Sequence, residues 1–166
     1  MSSQEKATWK VDGKVNWIVF RPWFGLLSRL ILGGVLLIAG WLKAFEFDKA
    51  QMAVRAYEVL PIPVANVLGV VLPWAEIAMA ILLILGVAIR PMAIATAALM
   101  LLFIAAITQA GLRGLSIDCG CFGGGGAVEP GETKYLQEIG RDIVFFLLAV
   151  YLYKYPVTKW ALERNQ

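Results

Sequence analysis

Apolar and polar positions along the chain separate into four long apolar runs divided by shorter polar stretches: Phe24 to Phe45, Asn66 to Ile89, Pro91 to Gly111 and Gln137 to Tyr155. At ~1.5 Å per residue each run can cross ~30 Å of hydrocarbon as a helix. The pattern predicts an all-α polytopic membrane protein, a four-transmembrane-helix bundle. Residues 1–23 are expected to form a cytoplasmic or interfacial N-terminal segment, 24–155 the membrane domain and 156–166 a cytoplasmic tail. The stretch Lys10 to Arg21, KVDGKVNWIVFR, mixes aromatic and β-branched residues but is too short to span. It is expected on the membrane surface or against a partner.

Composition agrees with this reading. Hydrophobic residues make up 60% of the 166, above the usual share in a soluble domain, and the mean hydropathy is +0.72. The first apolar run follows a mostly polar segment and lacks a small-x-small cleavage site, so it is expected to be retained as a helix rather than removed as a signal peptide. A net charge of +3, dispersed along the chain, does not suggest nucleic-acid binding.

An even number of spans puts both termini on one side, and the Lys and Arg distribution indicates which. The termini and the Arg90-Pro91 turn carry Lys6, Lys10, Lys14, Arg21, Arg29, Arg90, Lys154, Lys159 and Arg164. The opposite side carries Lys43, Lys49, Arg55, Arg113, Lys134 and Arg141 among many acids. Both termini are therefore expected in the cytoplasm, with Glu46 to Ala65 and Leu112 to Leu136 facing outward. Trp23, Trp41, Trp74, Trp160 and the tyrosines at 151, 153 and 155 are expected as headgroup-level anchors.

The outward segment contains both cysteines, in Ile117 to Gly126, IDCGCFGGGG. Outside the cytoplasm a pair of thiols can persist as a disulfide. Closure across one residue makes a small ring that needs a sharp turn, which Gly120 permits, and ring strain raises the reduction potential. Such a ring removes little entropy from the unfolded chain and so makes a poor staple. Gly123 to Gly126 would give the sulfurs access to a partner. A redox-active pair is the favoured reading; a passive local disulfide and half of a metal site remain as alternatives. With no histidine and two thiols, one chain cannot supply the usual four zinc ligands.

Ionisable residues inside apolar runs mark candidate supporting positions. Glu76 in the second run is expected to form a structural ion pair or hydrogen bond, to handle protons or lie beside a quinone, or to stay neutral. Lys43 and Arg141 are its candidate partners. Arg29 is expected to snorkel to the headgroups. Asp142 is expected near a helix N-terminus, where the dipole favours it. Arg141 either contacts a headgroup or carboxylate, or stabilises a thiolate. Asp118 adjoins the cysteines and completes the candidates. Small residues such as Gly33, Gly34, Ala93 and Ala97 fit close helix packing.

Several segments resemble the DoxX-like superfamily, and within it the MauE branch of redox-associated membrane proteins. They are RLILGGVLLIAGWLK from Arg29 to Lys43, LPWAE from Leu72 to Glu76, LILG from Leu83 to Gly86, DCGCFG from Asp118 to Gly123 and RDIVFFLLAVYL from Arg141 to Leu152. The resemblance implies a four-helix protein of the bacterial cell membrane that works with a thioredoxin-like partner in disulfide formation outside the cytoplasm. It implies Cys119 and Cys121 as the exchanging pair.

Two functions follow as expectations. One is a thiol-disulfide oxidoreductase in the lipid bilayer, exchanging electrons with a thioredoxin-like protein or a membrane redox complex. No bound cofactor is expected; quinone would be the oxidant only if a second cysteine pair were unnecessary. The other is a non-enzymatic accessory or assembly subunit of a larger membrane complex, such as a respiratory one, with a structural disulfide.

Overall fold

The computed structural model describes residues 5–122, 124–129, 133–158 and 160–162, with side chains from residue 20 onward. Gly123, the 163–166 part of the tail and the side chains of Lys10 to Val19 lie outside the described residues. The elements are α1 (Glu5–Ala44), α2 (Phe47–Ala56), α3 (Ile62–Leu85), α4 (Ile89–Leu112), β1 (Ile117–Asp118), β2 (Gly126–Ala127) and α5 (Tyr135–Lys154).

Three helical stretches are long and apolar enough to cross a membrane: Phe20–Ala44, Ile62–Leu85 and Ile89–Leu112. Helix α5 has 20 residues, about 30 Å at the helical rise, but Glu138, Arg141 and Asp142 in its first half make it more polar than the others. Helix α1 runs unbroken from Glu5 through Pro22 into its apolar stretch, so the Lys10 to Arg21 backbone continues the first helix.

Helix α1 packs on α3 and α4 on α5, and contacts of α1 with α5 and of α3 with α4 close the bundle. Leu32, Leu36, Leu83, Met100 and Leu152 fill its centre, with Ala80, Ala93 and Ala149 where backbones come close. A Cβ at Gly40 would lie 2.7 Å from the carbonyl oxygen of Pro73, so glycine sets the α1–α3 approach. Ile38, Val67, Leu102 and Leu147 cover the outside, a surface matched to hydrocarbon.

Two expectations need correction at the end of the bundle away from the cysteines. Arg29 does not snorkel: it is 2% exposed, and its guanidinium donates to Thr158 Oγ1 at 2.8 Å and to the Trp160 carbonyl at 3.2 Å. Folding the tail back over α1 gives the cation protein acceptors in place of headgroups. The reversal between α3 and α4 is made by left-handed Gly86 and Ala88, while Pro91 falls in the first turn of α4, where its missing N–H is harmless.

Candidate functional site

The cysteines lie in the connection of a two-stranded antiparallel hairpin, with Ile117 opposite Ala127 and Asp118 opposite Gly126. Asp118 Oδ1 accepts the Gly120 amide at 3.1 Å, an Asx turn that aims the chain back on itself. Gly120 then takes φ +70, left-handed backbone that suits glycine. The hairpin is tied down from two sides. Tyr135 at the start of α5 accepts the Ile117 amide at 3.1 Å through its hydroxyl. Tyr57, just after α2, donates to the Cys119 carbonyl at 3.1 Å.

Helix α2 roofs this loop. It has 10 residues, too few to span, and it buries Ala50 and Ala53. A Cβ at Gly120 would lie 2.6 Å from that of Ala53, so the small side chain and the glycine set how closely roof and loop meet. At the far end of α2, Arg113 reaches Glu58 Oε2 at 2.9 Å and the carbonyls of Tyr57 and Glu58 at 3.3 Å, tying the α2–α3 turn to the end of α4.

The two thiols are close, free and unequal. Cys119 is partly exposed and Cys121 is 7% exposed. The Cys121 amide donates to Cys119 Sγ at 3.3 Å. The hydrogen bond from the Cys121 thiol, with help from that amide and from Arg141, holds Cys119 below the ordinary thiol range against the opposing effects of burial and Glu138. Cys121 is pushed far above it, because its proton is committed to Cys119 and because it is buried beside Cys119 and Asp142. Burial and the neighbouring cysteines likewise push the Tyr57 phenol up, so it stays a donor. One sulfur is thus biased toward the thiolate and partly exposed, and the other is a protected thiol.

The charged candidates converge beneath the pair. Arg141 Nε bonds Asp142 Oδ1 at 3.0 Å, and the guanidinium lies 4.9 Å from the Phe122 ring centre. Since α5 begins at Tyr135, Asp142 sits beyond the first turn rather than at a helix N-terminus; it is 2% exposed, and its Oδ2 has no hydrogen-bond partner. Of the two partners considered for Glu76, the structure pairs it with Lys43, at 2.9 Å to Oε1 and 2.7 Å to Oε2.

Two small cavities join these groups. One of about 50 Å³ touches Lys43, Tyr57, Cys119 and Cys121. The other, about 20 Å³, is lined by Glu76, Cys121, Phe122, Arg141 and Asp142 among apolar residues. Ligand atoms of Asp118, Cys119 and Glu138 lie within 4.8 Å of one another. One thiolate and two carboxylates beside a guanidinium make a set poorer in nitrogen and sulfur than zinc usually takes.

Sequence reading missed Glu138 and Tyr57. Glu138 lies three and four residues before Arg141 and Asp142, the spacing that shares a helix face, so periodicity carried a signal for it. Nothing local to Tyr57 marks it, because its role comes from the packing of α2 over the hairpin.

Residues 21–155 match the family described as Methylamine utilisation protein MauE. The chain is also similar to the methylamine utilization protein MauE of Paracoccus denitrificans, at 38% identity over 98 residues, which make up 58% of this chain and 53% of that protein. It therefore matches about half the length of that relative. No solved structure matches the chain.

Proposed function

The chain belongs to the MauE family and carries three helices long and apolar enough to cross a membrane, and we propose that it is a membrane-embedded thiol-disulfide redox protein whose exchanging pair is Cys119 and Cys121. The inequality of the two sulfurs carries the proposal. A structural disulfide needs no difference between its sulfurs, whereas exchange needs one sulfur that a partner can reach and one that resolves the intermediate. Here Cys119 is the reachable one.

In the oxidised pair, a thiolate of a thioredoxin-like partner attacks Cys119 Sγ and Cys121 leaves. A second partner thiol then attacks the mixed disulfide and displaces the Cys119 thiolate, a good leaving group. The pair ends as two thiols and the partner as a disulfide; the reverse sequence oxidises the pair. Quinone is given no step, because both cysteines of the chain are used in this exchange.

The orientation belongs to the same proposal: four spans counting α5, both termini cytoplasmic and the hairpin outside, in a bacterial membrane. So does placement of the family in the DoxX-like superfamily, on the segments from Arg29 to Lys43 and from Asp118 to Gly123. The relative's name associates that protein with methylamine utilisation, and for this chain the pathway is open to partners of the same thiol chemistry. The reading as an accessory subunit draws on one observation, the packing of Ala53 on α2 against Gly120 and Gly125, which holds the hairpin as a docking element would be held.

Equilibration of the purified protein in glutathione buffers, followed by acid quenching, alkylation of the denatured chain and mass measurement, tests the redox reading. Both cysteines should lose alkylation together as the buffer becomes oxidising. Two alkylatable thiols in the most oxidising buffer would leave the subunit reading in its place. An impermeant maleimide added to intact cells after reduction should label Cys119; labelling only after lysis would reverse the orientation.

A further inference from the structure

We propose that Asp142 is the proton carrier of the exchange, giving a proton to Cys121 as its sulfur leaves the disulfide and taking it back when the disulfide forms. The assignment rests on the thiol-disulfide reading above. Cys121 is 7% exposed, so bulk water does not reach its sulfur freely, and a thiolate left there would be a buried charge whose nearest cation, Arg141, is already bound to Asp142. Some protein group has to deliver a proton as the S–S bond breaks.

Asp142 is the candidate built for this. It is 2% exposed, Oδ1 is bound to Arg141 at 3.0 Å, and Oδ2 has no hydrogen-bond partner. The carboxyl lines the same cavity of about 20 Å³ as Cys121. A space of roughly one water, with several polar groups on its wall, suits a single bridging molecule between Oδ2 and Cys121 Sγ.

Of the other ionisable groups nearby, Tyr57 after α2 donates its hydroxyl to the Cys119 carbonyl. Glu138, whose Oε2 is also buried without a partner, faces Cys119 and does not line the cavity that Asp142 shares with Cys121. From α1 and α3 come Lys43 and Glu76, which bind each other. The hairpin supplies Cys119, and α5 supplies Arg141 and Glu138, while the α4 residues on the cavity, Met100 and Phe103, are apolar.

The step balances. A partner thiolate forms a bond to Cys119 Sγ, the Cys119–Cys121 bond breaks, its electron pair goes to Cys121 Sγ, and Asp142 passes its proton through the water to that sulfur. The products are the mixed disulfide, the Cys121 thiol and the Asp142 carboxylate. In reverse, Asp142 is the base that frees Cys121 to attack the mixed disulfide.

The aromatic disulfide DTNB tests this on the full-length reduced protein in detergent, followed by stopped-flow absorbance. Attack by Cys119 releases one thionitrobenzoate, and attack by Cys121 on the resulting mixed disulfide releases the second. Asp142→Asn, which keeps an oxygen for Arg141, should lower the ratio of second to first rate by about 100-fold, at the lower end of general acid-base contributions. Asp142→Glu should recover part of it. In the unmutated protein the second rate should change little from about pH 6 to about pH 9, since the base is internal.

An unchanged ratio in Asp142→Asn, with both equivalents released, overturns the assignment and leaves exchange standing. Release of one equivalent by the unmutated protein overturns exchange and the assignment together. Should Asp142→Asn not fold, the pH profile decides: a tenfold rise per pH unit in the unmutated protein would mean that hydroxide takes the proton, and Asp142 is excluded.

Discussion

Lys43 on α1 and Glu76 on α3 form an ion pair of 2.7 Å whose side chains are 8% and 1% exposed, directly beneath the cysteine hairpin. Removing one partner strands the other charge in the bundle, so Lys43→Met or Glu76→Leu alone should destabilise by about 3–5 kcal/mol. The double variant should recover most of that, because two apolar side chains leave no stranded charge. A double-mutant cycle of thermal unfolding in detergent checks this. Additive losses would show that the pair is not coupled.

The unequal thiols make a pH prediction. A lowered Cys119 means more thiolate near neutrality than a free cysteine has, so the iodoacetamide rate at Cys119 should reach half its plateau at a lower pH than that of a free cysteine measured alongside it. Raised Cys121 should stay unreacted through the same range. Mass mapping of the alkylated peptide reads both. Equal rates at the two positions would remove the asymmetry.

Gly120 is expected to tolerate no side chain. At φ +70 an alanine is strained, and its Cβ would meet Ala53 at 2.6 Å, so Gly120→Ala should destabilise the loop by about 1–3 kcal/mol and lift α2 from it. Maleimide labelling of Cys121 should then rise relative to the unmutated protein. Unchanged protection would mean that α2 does not cover the sulfur.

Arg29 gives a fourth outcome at the opposite end. Arg29→Met removes the donors to Thr158 and Trp160, so limited proteolysis should cut the 156–162 segment faster while the helical signal persists. Equal cleavage rates would show that the tail is held by other contacts.

These sites differ in how far the sequence reveals them. The long apolar runs locate α3, α4 and α5 and the C-terminal end of α1 within a few residues, because hydropathy acts over a whole helix, whereas the start of α1 at Glu5 lies in polar sequence that hydropathy does not mark. Helix α2 is not legible that way: it is short, and it buries alanines at positions 50 and 53 rather than an apolar stripe. The motif around Cys119 and Cys121 is plain in the sequence, but their inequality is not. That inequality depends on the turn at Gly120, the roof of α2 and the charges of α5, all set by packing. Likewise the chain offered Glu76 two cations, and only the α1–α3 approach at Gly40 decides for Lys43. Arg29 was misjudged because the return of the tail to α1 is a contact across the length of the chain.

The central claim is exchange through an accessible Cys119 resolved by Cys121, and trapping in cells tests it most directly. With Cys121→Ser, the mixed disulfide between Cys119 and its partner should accumulate as a higher band on a non-reducing gel and collapse on reduction, while Cys119→Ser should trap far less. Mass measurement of the band would identify the partner. No band from either single variant, together with a normal redox state of extracytoplasmic thiols in the double serine variant, would contradict the account.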